Sequence, residues 1–406
     1  MTETKTTALS PGQRRTLARS AAITTVFIVP AMLARFTHIH LDPVVTMLIY
    51  GAAVVAASFL LAWAAEAAQI DVSGGLAIAV LALIAVLPEY AVDLYYAFRA
   101  GSVPEYTQYA AANMTGSNRL LMGLGWPLVV MIGLAASRKL TGERPTVLPL
   151  ASSNRVELGF LLIAGAAAFI IPVTAEIHLA LAIVLLAWFG YYLFKLSRGE
   201  VEEPDLIGTA AAIGAFGTRT RRRTVIGLFV LAAGVILLCA EPFAESMIDV
   251  GTQLGIDQFL LVQWLAPLAS EAPEFIIAII FAARGKPTAA IATLISSKVN
   301  QWTLLIGSLP LAYLAGGGGI ALHLDTRQVE ETLITAAQTL MGVAMILSLR
   351  FHRVTSWLLL GLFVIQFPIT STHGRLILSA VYGVLAIAGL IINRRQIAPT
   401  LRAPFL

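Results

Sequence analysis

Ala269-Ser270-Glu271-Ala272-Pro273-Glu274 decides how this chain is read, because a Pro-Glu pair in a similar setting occurs earlier as Ala85-Val86-Leu87-Pro88-Glu89. The surroundings repeat too. Ala65-Glu66 and Ile70-Asp71-Val72 precede the earlier copy, and Ala244-Glu245 and Ile248-Asp249-Val250 precede the later one. Arg99 and Arg284 follow the two glutamates at the same distance. A second apolar segment then carries Gly116-Ser117-Asn118 in one half and Ser296-Ser297-Lys298 in the other. Proline inside an apolar run removes a backbone donor and frees a carbonyl. One such kink is ordinary in a membrane helix. Two in corresponding places, each followed by glutamate, point to a duplicated functional element.

Working outward, the composition explains why both copies lie in apolar runs. Hydrophobic residues are 58% of the 406-residue chain and charged residues 12%. A soluble chain of this length could not hide that much apolar surface. Apolar runs of roughly 18 residues or more recur, whereas the alternating strands of an outer-membrane barrel do not. About twelve spans are expected: 20–36, 44–68, 74–99, 106–137, 156–173, 176–195, 224–249, 257–283, 287–314, 332–349, 354–369 and 375–392. The first is short and carries Pro30; a cleaved signal peptide is the other reading of it. One cysteine, Cys239, excludes an internal disulfide. The net charge of +4 implies no nucleic-acid partner; its placement sets topology.

With the N-terminus inside, most of the 27 Lys and Arg fall in cytoplasmic segments. The outside segments hold only Arg35, Arg99, Arg327 and Arg375, and Arg119 and Lys298 lie at membrane depth. Both termini are then cytoplasmic. The turns near Arg99 and Arg284 face opposite sides, so the two halves are inverted repeats, a common architecture of secondary transporters. Segment 197–223, acidic at Glu200, Glu202, Glu203 and Asp205 and basic at its end, is read as a solvated linker between halves, with a regulatory site as the other reading.

A charge at the bilayer centre costs at least ~2.5–3.5 kcal/mol, so carboxylates there tend to be functional. Glu89 and Glu274 are the leading candidates for binding a cation or proton. Glu271, one turn before Glu274, either joins them or pairs with Lys298. Asp93, Glu245 and Glu66 lie either in the pathway or near an interface. Oxygen-rich sites suit hard cations such as Ca²⁺, and burial also suits carboxyls to carry protons. His178 and His373 fall near span ends with no metal-ligand spacing. The absence of a nucleophile elbow, HExxH or P-loop argues against an enzyme or a primary pump.

At these stretches the sequence resembles the sodium/calcium exchanger, or cation/calcium antiporter, superfamily. The resemblance rests on Leu87-Pro88-Glu89 with Ala112-Asn113-Met114-Thr115-Gly116-Ser117-Asn118, and on Ala272-Pro273-Glu274 with Ala292-Thr293-Leu294-Ile295-Ser296-Ser297-Lys298. It implies an all-α polytopic membrane protein of two inverted five-helix repeats plus flanking helices. The expected layout is an N-terminal segment 1–43, repeats over 44–196 and 224–370 joined by the linker 197–223, and a C-terminal helix and tail over 371–406. It implies Glu89 and Glu274 as paired Ca²⁺ ligands from facing helices, Ser117 and Ser297 as oxygen ligands, and Asn113 as a supporting amide. Ser270, Glu271, Asn118, Lys298, Gln301, Asp93 and Glu245 are the further candidates for transport and coupling.

The departures from the family pattern matter. The usual Thr-Ser pair is Ala85-Val86 in the first repeat and Ser270-Glu271 in the second. The later Asn or Asp is Leu121 and Gln301, and Lys298 stands where the first repeat keeps Asn118. These changes weaken the case for several Na⁺ sites and favour carboxylate-borne protons. Lys298 is read either as a tethered cation that neutralises Glu271 or Glu274, or as part of a fixed pair that closes the site. Arg119 carries the same ambiguity. The expectation is a cell-membrane antiporter exchanging Ca²⁺ or a related cation for H⁺ or Na⁺, with inorganic cations as substrates and no cofactor. The alternatives are a same-fold transporter of a monovalent cation or small organic ion, drawn in by Lys298 and Arg119, and a non-transporting membrane protein.

Overall fold

Apolar segments of 19 to 38 residues fold here as helices, and among the described residues eight are long and apolar enough to cross a membrane. The structure, a computed structural model, describes residues 9–71, 86–198 and 206–406. Large apolar side chains such as Val26, Phe36, Val173, Val184 and Ile392 stand exposed on these helices, as lipid-facing residues do. The chain is therefore an integral membrane protein. The expected all-α class holds apart from two pairs of three-residue strands.

The sequence-based boundaries move in informative ways. The first expected span is part of a longer helix, Pro11–Thr37, that starts at a Ser10–Gln13 capping box and runs through Pro30. The expected span 106–137 is a helical run over 104–141 containing a π-helical turn at Leu121–Gly125. The expected start at 332 is corrected to Thr326: Asp325 caps the helix Thr326–Ile346 with Gln328 in a second capping box. Residues 72–85, including Ala85 and the first part of the expected span 74–99, lie outside the described residues, as do Glu200, Glu202, Glu203 and Asp205.

Two compact units emerge. The first comprises residues 1–95, 193–261 and 269–273. Within it the helix Pro43–Ala68 packs along the long helix Thr218–Leu254. Gly51 permits the approach: a Cβ there would sit 2.8 Å from the Phe243 ring. The segment read as a solvated linker instead contains a docked helix, Gly208–Gly214. Its Ile213 joins a core with Ala64, Ala67, Ala68 and Val225, which explains why it is not simply solvated. Arg221 Nε and Nη2 donate to the two Asp71 carboxylate oxygens, both at 2.7 Å, and Nη1 donates to the carbonyls of Gly214 and Phe216. That guanidinium holds the Asp71 carboxyl below its ordinary value of 3.8.

The second unit comprises residues 96–192, 262–268 and 274–406. Its strands reveal an internal correspondence. Val147–Pro149 pairs antiparallel with Arg350–His352, and Glu176–His178 pairs antiparallel with Ala321–His323. Arg353 N–H donates to Thr146 O at 2.8 Å, and Leu179 N–H donates to Ile320 O at 2.8 Å. Leu150 N–H reaches Leu349 O at 2.9 Å, and Leu324 N–H reaches Ala175 O at 2.8 Å. Ala175 and Leu349 are both left-handed, at φ 55 and φ 58, an uncommon conformation for residues with a side chain. Corresponding residues in these pairs are separated by the same chain distance.

Candidate functional site

Helix Leu87–Ala100 begins one residue before Pro88, where a missing N–H costs no helical hydrogen bond. That places Glu89 in its first turn, 7% exposed, with Asp93 one turn on and fully buried. The carboxylate of Glu89 is therefore at the positive end of the helix dipole. On the same helix the Tyr95 hydroxyl donates to Glu245 Oε1, which places Glu245 inside the first unit. Its neighbour by one turn, Glu241, is instead exposed and paired with Arg35 at 2.7 Å.

Helix Gln258–Ala283 carries Ser270, Glu271 and Glu274. Ser270 and Glu271 are buried, at 8% and 3% exposure. Ser297 Oγ donates to Glu274 Oε2 at 2.6 Å, so the structure brings together two of the residues expected as ligands. Ser297 comes from helix Pro287–Asn300, whose continuation Gln301–Leu305 is a π-helical turn. Gln301, itself buried, opens that turn, and Leu121 opens the matching turn Leu121–Gly125. The positions that carry the family's later amide or acid are thus the points where each helix widens. A π-turn displaces backbone hydrogen bonds by one residue and is frequent at functional sites.

The helix Thr107–Leu120 carries several buried polar groups. Ser117 Oγ is turned back onto the carbonyls of Asn113 and Met114, at 3.0 and 3.2 Å. Its lone pairs remain available, but its proton is spent on its own helix. Asn113 is 1% exposed, and its Oδ1 is buried without a hydrogen-bond partner among the described residues. A buried amide oxygen left in this state fits a place in a cation's coordination shell. Among the described residues no three His, Cys, Asp or Glu side chains cluster. The Glu274 carboxylate and the Ser297 hydroxyl are brought together, and oxygens of this kind suit a hard cation.

Lys298 is fully buried. Its ammonium donates to Asn118 Oδ1 at 2.8 Å and to the Asn118 carbonyl, and lies 5.6 Å from the centre of the Trp302 ring. The lysine that departs from the family pattern is thus held by Asn118, the residue that the first half retains at the corresponding position. Arg119 is not a spare anion acceptor. Its Nη2 lies 2.5 Å from Glu331, Nη1 donates to Gln366 at 3.2 Å, and its guanidinium sits 5.0 Å from the Trp264 ring centre.

Sequence reasoning missed Glu330, Glu331 and Gln263. Arg375 bonds Glu330 at 2.8 Å and lies 3.6 Å from Glu331, forming a buried ladder of two arginines and two glutamates. Gln263 Nε2 spans from Glu331 at 3.2 Å to Thr115 at 3.1 Å. The signal for the acids was the Asp325-x-x-Gln328 capping pattern, which places Glu330 and Glu331 inside the helix; Gln263 carried none.

The family profile for the sodium/calcium exchanger protein matches residues 42–197 and 224–369. Among solved structures, the chain is similar to the H⁺/Ca²⁺ exchanger CAX, at 40% identity over 97% of this chain and 98% of that one, with a TM-score of 0.90. It shares its fold with native YfkE, at 14% identity over 92% of this chain and 99% of that one and a TM-score of 0.60. It shares it also with the sodium-calcium exchanger NCX_Mj, at 16% identity over 80% of this chain and 98% of that one and a TM-score of 0.53. No curated protein matches the sequence. A profile matched over both halves, around the very residues that carry the repeated motif, shows that the chain belongs to the sodium/calcium exchanger family.

Proposed function

We propose that this protein is a secondary-active antiporter that exchanges Ca²⁺, or a related divalent cation, for H⁺ by alternating access. The observation that carries the reading is the near full-length similarity to an H⁺/Ca²⁺ exchanger. The residues support H⁺ over Na⁺ as the coupling ion. Leu121 offers no oxygen where the family pattern has Asn or Asp, and Ala85-Val86 stands in place of its Thr-Ser pair, which leaves fewer neutral oxygens for Na⁺. Glu89 and Glu274 carry the cation, with Ser117, Ser297 and Asn113 as neutral oxygen donors. Protonation of the glutamates discharges them and releases Ca²⁺; deprotonation restores the negative charge that attracts it. Ser270, Glu271, Asn118, Lys298, Gln301, Asp93 and Glu245 shape the field around that exchange.

The same reading carries the finer architecture. Twelve spans form two inverted five-helix repeats over 44–196 and 224–370, with segment 197–223 between them and both termini in the cytoplasm. The paired strand junctions and the two π-turns support an internal duplication. An organic anion as substrate is disfavoured, because Arg119 already has Glu331 and Gln366 as partners.

The test is ⁴⁵Ca²⁺ flux into proteoliposomes under an imposed pH gradient. The wild type takes up Ca²⁺ in exchange for H⁺, and Glu89→Gln and Glu274→Gln each abolish gradient-driven flux. Undiminished flux in both variants would remove the glutamates from the mechanism. Flux driven by Na⁺ and indifferent to pH would replace H⁺ as the coupling ion.

A further inference from the structure

Away from the buried glutamates, three arginines converge on a cavity of about 350 Å³ in the second unit. Arg138 comes from the last turn of the helix Trp126–Thr141, Arg144 from the connection that follows, and Arg353 from the first position of the helix Arg353–Ile365. None of the three forms an ion pair among the described residues, and no acidic side chain lines the cavity; the exposed Glu143 stays outside the lining. The rest of the wall is apolar, including Leu134 and Trp357, and Trp357 is 54% exposed.

The backbone fixes this arrangement. Arg353 follows directly on the strand Arg350–His352, and its N–H is bonded to Thr146 O at 2.8 Å. Gly142, left-handed at φ 76, turns the chain from Arg138 towards Arg144. The helix Arg353–Ile365 opens on the cavity with no side chain capping its N-terminus, so the positive end of its dipole adds to the potential there. Trp357 lies one turn from Arg353 on the same helix face. Guanidinium groups match the geometry of phosphate oxygens, and a half-exposed tryptophan is at home at the headgroup level of a bilayer. The corresponding junction at the other strand pair has Leu179 in place of Arg353 and Ile183 in place of Trp357, and so lacks both the guanidinium and the indole.

We propose that this cavity binds the phosphate headgroup of an anionic phospholipid. The arginines hold the phosphate, and the acyl chains run along the exposed Val354 and Trp357 side of the helix. Dissolved inorganic phosphate shares the chemistry but has no use for the apolar wall.

Fluorescence quenching tests this in vesicles of phosphatidylcholine containing a small fraction of brominated phosphatidylglycerol or brominated phosphatidylcholine. The Trp357 signal is isolated as the difference between the wild type and Trp357→Phe. Brominated phosphatidylglycerol quenches that signal at a lower lipid fraction than brominated phosphatidylcholine. Each of Arg138→Gln, Arg144→Gln and Arg353→Gln lowers the preference by roughly fivefold, the worth of one basic side chain near an anionic surface. The triple Arg→Lys variant retains most of it, which separates lost charge from lost folding. Equal quenching by the two lipids, or a preference untouched by the triple Arg→Gln change, overturns the proposal. Loss of the preference on adding millimolar inorganic phosphate at constant ionic strength overturns the lipid as occupant.

Discussion

The helices Thr107–Leu120 and Pro287–Asn300 occupy matching places in the two halves and end in matching π-turns, yet they are tied down differently. Where the first has Gly116 against the Gln263 backbone, the second has Ser296 bonded to the Tyr192 hydroxyl at 2.6 Å. Where the first has Ser117 turned onto its own carbonyls, the second aims Ser297 at Glu274. Where the first has Arg119 in a buried ion ladder, the second has Val299, an uncharged and fully buried side chain. The first helix is anchored by the Arg119 ion ladder, and the second by its two hydroxyls and by the Lys298 ammonium on Asn118. The two helices share their π-turns and differ in their side-chain anchors.

That contrast can be broken by substitution. The largest effect is expected for Glu331→Gln. It leaves Arg119 buried beside a neutral group and costs about 3–5 kcal/mol, visible as a lower unfolding temperature of the purified protein. A melting curve like the wild type's would mean that charge does not anchor the first helix. Asn118→Leu takes one acceptor from the Lys298 ammonium and costs roughly 1.5–3 kcal/mol in chemical denaturation. Lys298→Met in the Asn118→Leu background should recover part of that loss, since the buried charge is then gone. Failure of the recovery would show that the two residues are not coupled.

Gly116→Ala drives a methyl into the Gln263 backbone and costs about 1–3 kcal/mol, read by protease resistance of the folded protein. The matching Ser296→Ala deletes only the bond to Tyr192 and costs about 1 kcal/mol. If the two changes proved equally mild, the close approach at Gly116 would not distinguish the halves.

The features legible in the sequence were those written in local chemistry. Pro88 and Pro273 marked the motif, and the adjoining glutamates stood out because charge is rare in an apolar run. Ser297 beside Glu274 was anticipated from the family pattern and is bonded to it. The π-turns were not legible: they differ from an α-helix by one hydrogen-bond step, and Leu121–Gly125 and Gln301–Leu305 share only Leu at the fourth position. The Arg119–Glu331 pair joins residues far apart in the chain, and no periodicity encodes such a meeting. The docked helix Gly208–Gly214 was hidden by its small residues, which read equally well as linker or as close packing.

The two short strand pairs have a consequence for how the chain comes to be made. Val147–Pro149 is synthesised long before its partner Arg350–His352, while Glu176–His178 waits for Ala321–His323. Each early strand leaves the ribosome with its edge unmatched, and the earliest waits for the latest, as nested brackets do. The second unit therefore cannot finish assembling half by half. A chain truncated after residue 349 would retain the inner pair, lack the outer one, and leave the Thr146 carbonyl without Arg353 to bind it. Non-local pairing of this kind slows folding and leaves unfinished chains exposed to wrong partners. For a protein threaded into a bilayer as it is made, the last quarter of the chain acts as the clasp.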